Sequence, residues 1–292
     1  AKRIRITRAH LEEDAGKSTH MNHYGLSGID LNRAGTPLLE IVSEPDFSTA
    51  DEVVDYLKKL RQLVRYLNIG DGNMQEGSFR CDVNISLRPP GQIEYGTRSE
   101  IKNLNSFRFI KQAIECEIIR QASCLDNGDT IVQETRQYDP TTNATYSMRS
   151  KEEAHDYRYF SDPDLLPVQV SQEHIENIKQ TLPELPWYRE NRYIESFDLS
   201  PEDAKQITLQ KETADFFEAT ASLAKTVPKK SIINLICVDL AALINKHGVE
   251  LRSIPIRPQH CADLLIRMND KTISNHIAKE ILTIIWNENA LQ

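Results

Sequence analysis

Asp82, Glu100 and Lys102 lie within one stretch, NMQEGSFRCDVNISLRPPGQIEYGTRSEIKNLN at residues 73–105, whose apolar and polar residues alternate on both sides of a Pro-Pro-Gly turn. Read as a β-hairpin, the first run sends Cys81, Val83, Ile85 and Leu87 to one face and Arg80, Asp82, Asn84 and Ser86 to the other. The second run repeats this with Ile93, Tyr95 and Ile101 against Glu94, Arg98, Glu100 and Lys102. A five-residue loop from Arg88 to Gln92 puts both polar sets on one face, with Asp82 opposite Arg98 and Arg80 opposite Glu100. The strand then runs through Lys102 and Asn103 to Asn105 or Ser106, either of which can cap a helix with the stripe Phe107, Ile110, Ile114, Ile118 and Leu125. Free backbone donors at a helix start beside a lysine can hold phosphate. Carboxylates, a lysine and such a helix end are the parts of a magnesium-dependent phosphoryl-transfer site. Spacing alone also allows a solvated sheet face laced with surface ion pairs.

Two nearby segments offer further ligands. HLEED packs His10, Glu12, Glu13 and Asp14 into five residues, a repulsive arrangement unless a cation or basic partner neutralises it, and otherwise a solvated acidic turn. Glu76, between Gly72 and Gly77, is a loop acid within reach of a metal or an ordinary surface residue. DAGKST at residues 14–19 imitates the end of a P-loop, but the leading glycine position is Leu11, so the phosphate cradle is absent. The eight histidines form no HxxxH or HExxH, and no GxSxG elbow occurs, which argues against a zinc or serine hydrolase. Arg158 among Tyr157, Tyr159 and Phe160 suits base stacking or, more ordinarily, packing of a linker.

The elements that must position these residues divide the chain. Ten of its eleven glycines precede residue 129, so a turn-rich αβ part gives way to a helical one. A helix opened by Ser48 or Thr49, with stripe Val53, Leu57, Leu60, Val64 and Leu67, precedes the hairpin; TIVQETRQY and ATYSMRS, joined by DPTTN, read as a second pair of strands. After the Pro-containing connector DYRYFSDPDLLPVQVS, helix starts recur at Ser171, at Ser200-Pro201-Glu202-Asp203 and at Thr272 or Ser274. Ile232, Leu235, Ile236, Leu240, Leu243 and Ile244 keep helical spacing, which predicts a bundle. The expected fold is α+β, a mixed or antiparallel sheet domain over 1–170 followed by an all-helical bundle over 171–252. Residues 253–292 are expected to begin a further helical domain.

The 292 residues carry a net charge of −8, with −5 on residues 1–171 and −3 on the remainder, which argues against a nucleic-acid partner held by a broad basic surface. Any RNA contact is expected from a few cations such as Lys229, Lys230 and Lys279. Five scattered cysteines without a CxxC pair support neither a disulfide framework nor a zinc knuckle, and no run reaches membrane length, so a cytoplasmic setting is expected. The initial Ala1 suggests that the numbering starts inside a longer chain.

The assembled motifs RAHLEEDAGK, DLNRAGTPLLEIVSEPD, MQEGSFRCDVNISLRP, EIKNLNSFRFI, QETRQYD and MRSKEEAHDYRYF, in that order, closely resemble the B-subunit family of the tRNA-dependent glutamyl and aspartyl amidotransferases. LPELPWYRENRY and NDKTISNHIAKEI extend the likeness less distinctively into the helical part. The resemblance implies partnership with an amidase subunit and a small third subunit. It implies use of ATP and Mg2+ to phosphorylate the side-chain carboxylate of Glu or Asp mischarged on tRNA(Gln) or tRNA(Asn), after which ammonia displaces phosphate. A noncatalytic tRNA-binding scaffold for the amidase is the alternative. On this basis His10, Glu12, Glu13, Glu76, Asp82 and Glu100 are assigned to metal, and Arg98, Lys102, Asn103 and Asn105 to nucleotide phosphate. Asp82, Glu100 and Lys102 are assigned to catalysis. Ser161 stands where the family usually has proline, a mild departure, and the family's chains extend further at both ends.

Overall fold

The computed structural model describes residues 2–21, 26–150 and 169–289. Tyr157, Arg158, Tyr159, Phe160 and Ser161 lie outside them. Near the N-terminus, β1 (Ile6–Glu13) pairs antiparallel with β4 (Pro37–Ser43), and β2 (Lys17–Met21) with β3 (Leu26–Asp30). HLEED is therefore mostly strand rather than a turn, and the lysine of DAGKST opens β2 instead of the helix that a P-loop feeds.

Helix α1 (Ala50–Tyr66) starts where the sequence predicts. Thr49 accepts from the Glu52 amide at 3.2 Å, and Glu52 reaches back to the Ser48 amide at 2.7 Å. Its buried face is Ala50, Val54, Leu57 and Tyr66, so the stripe is turned slightly from the predicted one and Leu67 is the C-cap. A mixed sheet follows in the order β5-β6-β7-β8, formed by β5 (Cys81–Ile85), β6 (Ser99–Leu104), β7 (Glu134–Asp139) and β8 (Ala144–Ser150). β5/β6 and β7/β8 run antiparallel, whereas β6 and β7 run parallel and are joined through α2 (Phe107–Asp126). Ser106 caps α2 by accepting from the Phe109 amide at 3.1 Å, which leaves Asn105 exposed beside the cap. Val83, Ile85, Ile101, Leu104 and Tyr138 pack with Leu57 of α1 and Ile110, Ala113 and Ile114 of α2. Among the described residues α2, with α1 packed on it, thus backs one face of the sheet, and no helix covers the other.

The predicted hairpin register is corrected. Asn84, not Arg80, stands opposite Glu100, Ile85 opposite Ser99, and Cys81 opposite Leu104. The connection is much longer than five residues, because Ile93 and Tyr95 are exposed loop residues at 83% and 58% and never enter a strand. The slip from the expected pairing is four residues, an even number, so the facing of the side chains survives. A bulge sets Asp82 against both Lys102 and Asn103, and Asn103 takes a left-handed φ of 63°. The extra residue returns Leu104 to the core after Ile101.

The helical part contains α3 (Gln172–Thr181), α4 (Pro186–Phe197), α5 (Pro201–Thr208), α6 (Lys211–Leu223), α7 (Lys229–Asn234), α8 (Ala241–His247), α9 (Pro258–Asn269) and α10 (Asn275–Asn289). A π-helical stretch, Leu235–Leu240, joins α7 to α8. Ser171, Ser200 and Ser274 accept from the amides of His174, Asp203 and Ile277, so the predicted starts hold, with Ser274 rather than Thr272 at the last. One apolar core runs from Tyr193 through Phe217, Ile232 and Leu240 to Leu265 and Trp286, without a break at residue 252. Among the described residues no helix is long and apolar enough to cross a membrane.

The two parts meet at a latch. The Thr208 carbonyl at the end of α5 accepts from the Tyr66 hydroxyl at 2.6 Å and from Gln62 Nε2 at 2.7 Å, with Tyr66 only 1% exposed. Tyr66→Phe leaves Gln62 to satisfy the carbonyl, so a stability loss of about 1 kcal/mol is expected in chemical denaturation. An unchanged midpoint would show that the Tyr66 hydroxyl contributes nothing to the latch.

Candidate functional site

On the open face of the sheet, β6 presents Glu100 and Lys102 two residues apart, and its bulge sets Asp82 of β5 alongside. Lys102 Nζ lies 3.2 Å from Asp82 Oδ2 and 3.6 Å from Glu100 Oε1. Burial pulls the Lys102 ammonium down, but the two carboxylates outweigh it and hold its pKa above the usual 10.5. Lys102 thus stays charged between the acids. Glu100 is the more enclosed acid, its side chain 14% exposed against 50% for Asp82. It stands directly across the parallel ladder from Thr135, whose hydroxyl donates to Glu100 Oε2 at 3.0 Å. Sequence reading did not single out Thr135, and its signal lies in a parallel register that short-range patterning does not reveal.

Asn103 and Asn105 flank this group, both exposed, between the bulge and the capped start of α2. Arg98 is exposed in the loop ahead of β6 and does not face Asp82 across the ladder as the predicted register required. Arg80 instead reaches Asp14. That carboxylate accepts from Arg80 Nη2 at 2.7 Å and Arg33 Nε at 3.0 Å, while Arg33 also donates to the carbonyls of Glu76 and Gly77. Gly77 has φ 75°, and an added Cβ would stand 3.1 Å from the Arg33 guanidinium, so the clasp calls for glycine there. Burial raises the Asp14 pKa, but hydrogen bonds from Arg80 and Arg33 more than reverse this and leave it lowered. Asp14 is thereby a structural tie between the β1–β2 turn and the loop that carries Glu76, whose own side chain is exposed.

A second cluster forms on the β1/β4 ribbon. His10 Nε2 lies 2.6 Å from Glu12 Oε1 and 3.0 Å from Glu40 Oε2, and Glu40 is the register partner of His10. Arg8 Nε donates to His10 Nδ1 at 3.4 Å, so in the neutral ring the proton sits on Nε2 and holds the two acids. Among the described residues this is the group of three His, Cys, Asp or Glu residues whose ligand atoms all lie within 4.8 Å of one another. Glu13 projects from the opposite side of β1, and Glu76, Asp82 and Glu100 do not join the trio. The acids assigned to metal from sequence therefore do not converge on one point. Glu40 was missed because it becomes a neighbour of His10 only through the pairing of β1 with β4.

Carboxylate oxygens suit a hard divalent ion, and a single imidazole beside two carboxylates is compatible with Mg2+ or Mn2+. On the open face, the acids on either side of Lys102 could carry a metal while the ammonium serves phosphate oxygens. Both donor sets fit the chemistry, and either would exchange a proton or an ion-pair partner for the metal.

The cations expected to meet RNA are mostly occupied. Lys230 pairs with Asp203 at 2.5 Å and Lys279 with Asp239 at 2.8 Å. Lys229 lies over the Phe197 ring, 5.9 Å from its centroid. With Lys225 and Arg192 it lines a surface recess of the bundle.

A helix-backed mixed sheet with a charged open face, joined to a helical bundle, defines an α+β protein of two unlike parts. The chain belongs to the GatB/GatE catalytic domain family, whose model matches residues 1–176, and residues 215–291 match the model described as GatB domain. Similar relatives carry the name of the B subunit of aspartyl/glutamyl-tRNA(Asn/Gln) amidotransferase. That of Coxiella burnetii is 57% identical over 285 residues, covering 98% of this chain and 60% of the relative. Those of Alkalilimnicola ehrlichii and Pseudomonas fluorescens are each 53% identical over 286 residues, covering 98% of this chain and 60% and 59% of the relatives. The chain spans about 60% of the length of the curated relatives it matches.

Proposed function

We propose that this chain is part of an ATP- and Mg2+-dependent subunit that phosphorylates the side-chain carboxylate of Glu or Asp mischarged on tRNA(Gln) or tRNA(Asn), acting with an amidase subunit and a small third subunit in the cytoplasm. The observation that carries the reading is the Asp82–Lys102–Glu100 arrangement on a sheet face left open by the helices. A carboxylate is a poor acyl donor because its leaving group would be oxide. Attack of its oxygen on the γ-phosphorus, with ADP departing, supplies a leaving group. Ammonia nitrogen then attacks the acyl carbon, phosphate leaves with the bonding pair, and the nitrogen loses a proton to give the amide.

Bound Mg2+ would draw charge from the phosphate oxygens during transfer. The residues of this chain provide the rest. Asp82 and Glu100 offer hard oxygen ligands, Thr135 holds Glu100 in place, and Lys102, kept charged by its neighbours, meets phosphate oxygens. His10, Glu12 and Glu40 offer a separate divalent site, and Asn103, Asn105 and Arg98 border the phosphate region.

The test uses the full assembly with Glu-tRNA(Gln) labelled with 18O in the side-chain carboxylate. Each turnover is expected to place one labelled oxygen in inorganic phosphate. Amide formation that releases unlabelled phosphate would exclude the acyl-phosphate route.

A further inference from the structure

Beneath the sheet, on the face opposite Asp82 and Glu100, α2 buries a carboxylate. Glu117 is 0% exposed and accepts from Arg120 Nη2 at 2.6 Å, Arg120 Nε at 2.9 Å, Gln121 Nε2 at 2.8 Å and Thr145 Oγ1 at 2.9 Å. Arg136 Nε lies 3.5 Å away and also donates to the Thr145 hydroxyl at 2.9 Å, while Arg136 Nη2 donates to the Thr145 carbonyl at 2.6 Å. Arg136 makes a further ion pair with Glu134. The hub reaches the other two strands as well, through Arg120 to Ser99 Oγ at 3.3 Å and through Gln121 to the Ile85 carbonyl at 3.2 Å. One buried acid is thus connected to all four strands.

Its attachment points alternate with the open-face group. Ser99 precedes Glu100 on β6, and Arg136 follows Thr135 on β7, so each buried contact fixes the facing of the residue beside it. Hydrophobic patterning cannot do this for β7, whose sequence ETRQYD carries one large apolar residue, Tyr138. A strand with so little apolar pattern specifies its register weakly, and a buried ionic group is a known means of fixing register at some expense of stability.

We propose that Glu117 is a positioning residue for the open face: by clamping Arg136 directly and Ser99 through Arg120, it sets the parallel register of β6 and β7 that places Thr135 on Glu100. This rests on the reading of Glu100 as a metal ligand, and the experiment separates the two claims.

In the full-length chain, Mn2+ serves as the probe, with binding followed by electron paramagnetic resonance and backbone exchange by deuterium uptake. Glu117→Gln preserves shape and is expected to weaken Mn2+ binding at least about 10-fold. It should also speed exchange in residues 99–104 and 134–139 without changing exchange in the bundle. Thr135→Val should weaken Mn2+ binding similarly with exchange unaltered, and the double variant should lose no more than Glu117→Gln alone. Exchange that rises equally in sheet and bundle, or Mn2+ binding and sheet exchange that both stay at wild-type values, would overturn the proposal. If Glu117→Gln does not fold, Arg120→Lys, which loses the fork that spans Glu117 and Ser99, is judged by the same two readouts. Glu100→Gln is the control: unchanged Mn2+ binding there would defeat the metal reading alone, leaving sheet exchange to decide the register claim.

Discussion

Glu100→Gln in the full assembly is expected to lower ATP-dependent amide formation more than about 100-fold while glutamine hydrolysis by the amidase partner continues. The glutamine side chain has the same shape and can still accept from Thr135, so the sheet stays in place. What disappears is the negative charge that a divalent ion needs, together with one of the two acids that keep Lys102 strongly basic. Asp82→Asn removes a more exposed carboxylate and should cost less. Both activities are measured on the same preparation. Amide formation within two-fold of wild type in both variants would remove these acids from the site.

Glu218→Leu should give the largest loss of stability in the helical part, about 2 kcal/mol. Glu218 Oε1 accepts from Arg189 Nε at 3.0 Å, Arg192 Nη2 at 2.5 Å and the Tyr193 hydroxyl at 2.8 Å. Arg189 is 7% exposed in its side chain, and its remaining acidic partner among the described residues would be Asp215, itself 54% exposed. The expected loss is set below that for a wholly buried pair because Glu218 is about a third exposed. Burial raises the Glu218 pKa, but hydrogen bonds from Arg192, Tyr193 and Arg189 outweigh it and leave it below the ordinary 4.5. A lowered carboxyl pKa stabilises the fold above the ordinary value and stops doing so as pH falls through the folded one. The gap between wild type and Glu218→Leu in urea midpoints should therefore be full at pH 7 and shrink below pH 4.5. A gap that widens in acid would contradict this assignment.

Local patterning made much of the fold legible. Ser106, Ser171 and Ser200 announced helix starts because capping is a short-range hydrogen bond, and Val83, Ile85 and Ile101 announced a core face because alternation is local. The strand register was not legible, since loop length decides it and residues 86–98 contain apolar side chains that imitate a strand. Even so, the predicted sharing of one face by Asp82 and Glu100 survived, because a slip by an even number of residues preserves facing. Glu40, Thr135 and Glu117 could not be found from spacing. Each acquires its partner through a pairing or packing that joins distant segments.

The parallel pairing of β6 with β7 also imposes an order on synthesis. Strand β6 is finished at Leu104, but its second neighbour begins only at Glu134, after the whole of α2. While residues 105–133 leave the ribosome, the hairpin of β5 and β6 must carry an unpaired backbone edge. Arg120 and Glu117 emerge within that interval and can pair with each other one helical turn apart, so the acid has a partner before Arg136 exists. The nascent chain is thus spared a lone charge beneath its half-built sheet, and the last strands close onto an ion pair already in place.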